Sequence, residues 1–447
     1  MRRPVVVVVV VVSLAAAMVV MSAGAAHADP PRVDFGTRID FATRNAPASM
    51  AIGDLNGDGH LDLAVAASPG LGTVSVLLGD GTGSFGPQTE FGAGVGGYSV
   101  VMGDLNGDDH LDVAVANYSS DSVSVLLGDG TGSFGPQTDF ATGTAPSSMA
   151  IGDLNGDSHL DLAVANADSG TVSVLLGDGT GSFGPKTDFA SVDFALSMAM
   201  GDLNGDGHLD LAVANATFTG GVSVLLGDGT GSFGPKTDFA TAYALGALAM
   251  GDLNGDGHLD VAASTFMSTG VLGVVLLGDG TGGFGPGTDV AGEEASASLV
   301  MGDLNGDSHL DLASTNNASN SVSVLLGDGT GGLGSRTDFA TGSYPTSVAI
   351  GDLNGDGRPD LAVVNQEANS VSVLLNGPAV PRVPGAPTIV NATAGNQAAT
   401  LSWNPPLFDG FSQITGYVVT PYHGGEAQLP VTFNSTATTQ TITGLTT

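Results

Sequence analysis

The chain of 447 residues contains no cysteine, so disulfides, thiol catalysis and cysteine-bound zinc are all excluded. Cations are scarce: 10 Lys and Arg stand against 45 Asp and Glu, for a formal charge of −35. Nucleic acids and anionic membrane surfaces are gripped by clustered Lys and Arg, and that balance argues against both as partners. No Gly-x-Ser-x-Gly elbow, paired Glu or His beside a nucleophile is present, so the sequence supports no enzyme activity. Leu429-Pro430-Val431-Thr432 has the outline of a sortase signal but lacks the following Gly and apolar tail. No segment carries a helical stripe, and beyond the N-terminus no apolar run is long enough to span a bilayer.

What is present is a foldable, glycine-rich chain. Apolar residues make up 42% of it, and 70 residues are Gly. The acids are spaced at intervals rather than run together, which suggests metal ligation instead of a disordered acidic tail. Residues 1–28 begin Met1-Arg2-Arg3, continue with an apolar run from Val5 to Met21, and end Ala26-His27-Ala28. This reads as a secretory signal peptide cleaved after Ala28, a retained anchor being the alternative. The mature protein is then expected outside the cell, where calcium is plentiful.

Asp-Leu-Asn-Gly-Asp recurs from Asp54, Asp104, Asp153, Asp202, Asp252, Asp303 and Asp352, at spacings of 50, 49, 49, 50, 51 and 49. Each copy follows one plan, seen in the third. Ser148-Met149-Ala150-Ile151 leads into the acidic loop. Leu160 to Ala165 alternates, Val172-Ser173-Val174-Leu175-Leu176 follows, and Gly177-Asp178-Gly179-Thr180-Gly181 turns into Phe183 to Phe189. Four short strands of period two, with Gly/Asp turns between them, describe a propeller blade. The last copy stops at Asn376 without a fourth strand, whereas Phe35 to Phe41 matches Phe134 to Phe140. The first strand of the mature chain is therefore expected to complete the last blade and remove an open edge. The Met residues before the acidic loops read as core. Gly81-Thr82-Gly83-Ser84-Phe85-Gly86 fits G-x-G-x-x-G but opens no helix, so it reads as a hairpin turn and not a phosphate loop.

The acidic loop has the donors for a hard cation. Ca²⁺ takes several oxygens, and alternate residues of a tight loop can all point inward. Asp54, Asn56 and Asp58 stand at positions 1, 3 and 5, the His60 carbonyl at position 7 and Asp62 at position 9. The same side chains recur as Asp104, Asn106, Asp108 and Asp112; Asp153, Asn155, Asp157 and Asp161; Asp202, Asn204, Asp206 and Asp210; Asp252, Asn254, Asp256 and Asp260; Asp303, Asn305, Asp307 and Asp311; and Asp352, Asn354, Asp356 and Asp360. Up to seven Ca²⁺ are thus expected. Asp, Asn and Gly also make ordinary turns, but a turn does not require the acid at position 9. Position 6 varies (Asp109, Ser158, Ser308) and position 7 is His six times and Arg358 once, as expected where only backbone is needed. The His side chains are expected to lie exposed over a carbonyl ligand.

These residues resemble the FG-GAP/VCBS repeat, the calcium-bearing blade of the integrin α-subunit propeller and of many bacterial secreted proteins. Phe134-Gly135 and Ala145-Pro146 match its name-giving positions; Phe183-Gly184 matches, while Ala195-Leu196 replaces Ala-Pro. The resemblance covers about residues 33–376. It implies calcium on the side chains above and a role in binding or adhesion. After a Pro-rich linker at 377–386, residues 387–447 resemble part of a fibronectin type III domain through Trp403, Ile414 to Val419 and Thr441 to Leu445. The last two strands of such a sandwich are missing. The expected fold is thus all-β, a seven-bladed β-propeller over 29–376 followed by a truncated fibronectin type III β-sandwich.

In a four-strand meander alternate loops fall on opposite faces. The acidic loops and Gly-Asp-Gly-Thr-Gly turns share one face and scarcely vary between copies. The loops on the other face vary, and they carry Tyr98, Tyr118, Phe194, Phe218, Tyr243, Phe266 and Tyr344. Varied loops on a rigid scaffold are where recognition resides. Two readings follow: an adhesion or recognition module for a glycan or an extracellular protein, or an accessory region of a secreted polymer-degrading enzyme.

Overall fold

The second strand of each repeat is apolar on both sides, and this decides the architecture. Asp62–Ala67, Asp161–Asn166 and Asp360–Asn365 are buried at every position, as strands covered on both faces must be. The fourth strands, such as Thr187–Ala190, are mostly exposed. The computed structural model describes residues 6–9, 33–44, 46–67, 70, 72–191, 194–217, 220–266, 271–292, 296–377, 387–395, 397–405, 417–423, 426–427, 431–433, 435 and 437–445. Every element described is a strand. Among the described residues no helix is long and apolar enough to cross a membrane.

Residues Phe35–Asn376 form one compact unit. It contains seven antiparallel four-stranded sheets. Their first strands (Pro47–Gly53, Gly97–Gly103, Pro146–Gly152, Ala195–Gly201, Leu245–Gly251, Leu299–Gly302 and Pro345–Gly351) each adjoin the next, and the last adjoins the first. The sheets are therefore blades of a closed ring, with these strands innermost; we number the blades one to seven in that order. Ile39–Ala42 completes the seventh, pairing Ile39 with Val373 and Phe41 with Val371.

Neighbouring blades interlock large against small. Ala64 and Ala66 of blade one meet Val113 and Val115 of blade two, while Leu63 and Val65 on the opposite face meet Ala362 and Val364 of blade seven. Such alternation fills an interface without voids. Farther out, a Phe of each fourth strand meets a Phe of the next blade edge to face, as in Phe140–Phe183 (5.2 Å, 78°) and Phe339–Phe35 (4.9 Å, 87°). Blades five and six are the exception: there Val290 and Leu333 share the cluster.

The other unit groups residues 1–34 with 377–447. Thr388–Gly395, Ala398–Asn404 and Thr439–Thr443 make one sheet. Tyr417–Thr420 pairs with Val431–Phe433 and, in parallel, with Val6–Val9 near the N-terminus. Cleavage after Ala28 would remove that valine strand. Trp403 and Tyr417 meet at 4.9 Å in a core with Leu401, Val419 and Ile442. Residues 10–32, and 378–386 of the linker, lie outside the described residues.

Candidate metal loops and the opposite face

Each acidic loop is a knot of backbone N–H groups around its own acids. Asp54 Oδ1 accepts from the N–H of Gly57 (2.8 Å) and Asp58 (3.2 Å), and its Oδ2 from Gly59 (2.8 Å). Asn56 Oδ1 accepts from the Asp58 N–H (2.9 Å), and Asp58 Oδ1 from the His60 N–H (2.8 Å). The Asn56 amide donates to Asp58 Oδ2 (3.0 Å). Equivalent bonds fix Asp153, Asn155 and Asp157, or Asp303, Asn305 and Asp307. Position 6 takes the left-handed conformation (Gly59 φ 84°, Asp109 φ 66°, Ser158 φ 70°, Ser308 φ 69°), so it varies at some cost and not freely.

Position 9 does something the sequence reading missed. Asp62 is wholly buried. Its Oδ2 accepts from the Leu55 N–H (2.9 Å) and its Oδ1 from the Gly79 N–H (2.7 Å). It thus staples the acidic loop to the start of the next hairpin. Asp112, Asp161, Asp210, Asp260, Asp311 and Asp360 repeat both bonds. Burial pushes these carboxyls up from the ordinary range against the pull of the two amides, and the charges of positions 5 and 1 add to the rise. Asp311 and Asp360 are pushed up to about 6.

Do these donors fit a metal? Three carboxylates, an amide oxygen and a carbonyl form an all-oxygen set, which suits Ca²⁺ and not zinc or copper. The acids feel one another's charge, so a divalent cation would relieve a repulsion already present. Each carboxylate oxygen has two lone pairs; Asp54 Oδ1 spends both on the loop, while Asp54 Oδ2, both oxygens of Asp58 and both of Asp62 spend one each. Among the described residues no three His, Asp or Glu side chains stand gathered as a ready-made metal cluster; the Asn56–Asp58 contact takes one of the oxygens a cation needs. The donor chemistry therefore fits, and the loop has to close further to use it.

The position 7 histidines are half-exposed and rest on the turn of their own blade. A Cβ added to Gly81 would fall 2.4 Å from the His60 ring, and one on Gly179 2.4 Å from that of His159. These glycines also have positive φ (70° and 71°). The G-x-G-x-x-G turn is thus a platform for histidine.

A second polar chain escaped notice in the sequence. Asn166 Nδ2 donates to Ser173 Oγ (2.9 Å), which donates to Asp188 Oδ1 (2.6 Å) and accepts from the Gly143 N–H (3.0 Å). It ties three strands to the loop entering the blade. The recurring Val-Ser-Val inside an apolar strand was its signal.

On the opposite face Tyr98, Tyr118, Phe194, Phe266 and Tyr344 are exposed, Phe194 most of all at 57%. The Tyr98 and Tyr118 rings lie 5.4 Å apart at 35°. Burial, and then the neighbouring Tyr118 and Tyr344, raise the Tyr98 phenol; burial and the Asp168 charge raise that of Tyr118. Tyr243 stands apart from these: it is half-buried, and its hydroxyl donates to Asp289 Oδ2 (2.9 Å). Phe218 lies outside the described residues.

A ring of four-stranded blades, each opened by an Asp-rich loop between its first and second strands, defines a repeat β-propeller. The chain belongs to the FG-GAP-like repeat family, which matches it at residues 54–115, 104–164, 153–213, 202–263 and 303–363. Among solved structures the chain is similar to BBS1N in complex with ARL6DN, in crystals soaked with lead or with mercury. The TM-score is 0.54 and the identity 13% in both, over 77% and 78% of this chain and 97% and 98% of that one. At this identity the likeness concerns the fold. A comparison with curated proteins gave no match.

Proposed function

We propose that this chain is a secreted, calcium-stiffened recognition module without catalytic activity. The observation that carries the reading is the division of the two faces. One face bears seven near-identical loops of at least three acids each with no matching set of cations. Calcium there would be held by positions 1, 3, 5 and 9 and the carbonyl of position 7, and it would supply charge neutralisation and cross-linking of the loop. The other face bears exposed aromatics on loops that differ from blade to blade. Recognition of a glycan or an extracellular protein belongs to that second face. The leader segment supports secretion, and a protein partner is in keeping with an FG-GAP-like propeller. Titration calorimetry with Ca²⁺, followed by a binding screen against glycans and extracellular proteins with and without EGTA, tests the reading. It predicts calcium uptake and calcium-dependent capture of a ligand; absence of calcium uptake, or a captured ligand indifferent to the aromatic face, overturns it.

A further inference from the structure

We infer that Tyr98, Tyr118 and Tyr344 form a seat for the cationic side chain of a Lys or Arg on a protein partner. This rests on the reading that the face opposite the acidic loops is the recognition face. Backbone geometry comes first. The ladder between the first two strands of blade two pairs Gly97 with Asn117 and Ser99 with Ala116, leaving Tyr98 as the unpaired residue of a bulge. Bulges re-aim a side chain, here away from the ladder. Other blades carry Ala48, Ser147, Leu196 or Thr346 at that place. Tyr118 follows the second strand of the same blade, and its ring lies beside that of Tyr98.

Tyr344 enters from blade seven, and it is held rigidly. It adopts φ 57°, a conformation that disfavours a bulky side chain. Its N–H donates to Asn320 Oδ1 (2.9 Å), and its carbonyl accepts from the Gln366 N–H (2.9 Å). Blade one lies between, and it offers only Ala46 at the corresponding position. Tyr344 is exposed on the same face as Tyr98, and its phenol adds to the rise of the Tyr98 phenol. The same φ and clamp recur at Ala46 and Ala145, so the scaffold is common to the blades and the exposed aromatic ring is what sets Tyr344 apart.

Charge selects the occupant. Tyrosine faces attract cations, and a nearby carboxylate adds a Coulombic attraction; the Asp168 charge adds to the rise of the Tyr118 phenol. The described cations are engaged elsewhere. Arg38, Arg44, Lys186, Lys236 and Arg336 pair with Asp40, Glu90, Asp188, Asp238 and Asp338, and Arg358 belongs to an acidic loop. An ammonium or guanidinium group thus meets aromatic faces within a strongly negative molecule.

The test uses the full chain in calcium with two probes: acetyl-Ala-Arg-Ala-Arg-Ala-amide and the same peptide with citrulline, which keeps the shape and loses the charge. Binding is followed by titration calorimetry at fixed ionic strength. The arginine peptide is expected to bind, and the citrulline peptide at least 10-fold more weakly. The pair Tyr98→Ala/Tyr118→Ala, which leaves net charge unchanged, is expected to weaken the arginine peptide at least 10-fold, and Tyr118→Phe less than 3-fold. An unchanged calcium-bound melting midpoint shows that each variant is folded; if the Ala pair unfolds, Tyr344→Gly, which suits the positive φ, replaces it. Equal affinity for both peptides, or no effect of the tyrosine variants, overturns the cation seat. Loss of a glycan or neutral ligand in those same variants would overturn it too, while leaving the recognition face standing.

Discussion

The side-chain amide of Asn376 donates to the Leu304 carbonyl at 2.6 Å. In the other six loops the same carbonyl is met by a backbone N–H from the turn of the following blade: Leu55 by Gly132, Leu105 by Gly181, Leu154 by Gly231, Leu203 by Gly282, Leu253 by Gly331 and Leu353 by Gly83. Blade seven has no such turn, because its fourth strand comes from the other end of the chain. Asn376 stands in for it, and it also donates to the Pro359 carbonyl (3.0 Å). Its own N–H meets Asp360 Oδ1, and its backbone bridges to Phe35. Asn376→Ala removes the side-chain donor from the buried Leu304 carbonyl and the part-buried Pro359 carbonyl, which should cost about 1–3 kcal/mol. Urea unfolding measures it; an unchanged midpoint would remove Asn376 from the closure of the ring.

The interface between blades five and six is predicted to be the ring's weakest. Six interfaces carry an edge-to-face Phe pair; this one has Val290 and Leu333, beside a cavity of about 10 Å³ lined by Leu272, Leu299 and Leu312 among others. Gly273 also replaces the serine of the polar chain there. Amides of Val271–Leu276 and Ser321–Leu325 should exchange with solvent sooner than those of Thr171–Leu175. Val290→Phe with Leu333→Phe should restore about 0.5–1.5 kcal/mol and slow that exchange. Uniform exchange across the blades would refute the ranking.

The blade plan, its period and the strand that closes the ring were legible because each depends on local patterning: period-two apolar residues, Gly-rich turns and a copied Phe-Gly segment. The faces of the loops followed from the meander alone. What escaped were roles set by three-dimensional partners. Asp62 and Asp58 look alike in sequence, yet one is buried between two amides and the other is on the surface. His60 is exposed as its loop position suggests, but that its ring rests on Gly81 is visible only in the fold. Tyr243 and Tyr98 looked equivalent, but only Asp289, 46 positions away, shows that Tyr243 is engaged. That Val6–Val9 pairs with Tyr417–Thr420 was not legible either, because an apolar run says nothing of which strand it meets.

Two aspartates of one loop should separate structure from metal. In Asp161→Asn the amide NH₂ must face a backbone N–H of Leu154 or Gly177, which the carboxylate accepts at 2.9 and 2.7 Å. Leaving a buried donor unpaired costs about 1–3 kcal/mol, and this loss should persist in EGTA. Asp157 is solvent-exposed, so Asp157→Asn should leave stability in EGTA nearly unchanged and lower only the increment that calcium adds. If both variants behave alike in EGTA, the division of roles fails.

Removal of calcium should be felt by the whole ring, because the loops are bonded blade to blade through the turn glycines. At about ten times Kd, in the ~10⁻⁴–10⁻³ M range of extracellular sites, each bound ion stabilises by about 1.4 kcal/mol. Seven loops would then contribute about 10 kcal/mol, comparable with the ~5–15 kcal/mol of a typical domain. EGTA should therefore lower the melting midpoint by about 15 °C, and Ca²⁺ but not Na⁺ at equal ionic strength should restore it. Screening by salt alone would ease repulsion among the half-buried acids of position 1 and the mostly exposed acids of position 5, yet it reaches the buried Asp62 and its six equivalents poorly. A midpoint restored fully by NaCl would mean that charge repulsion, and not coordinated metal, sets the stability of the acidic face.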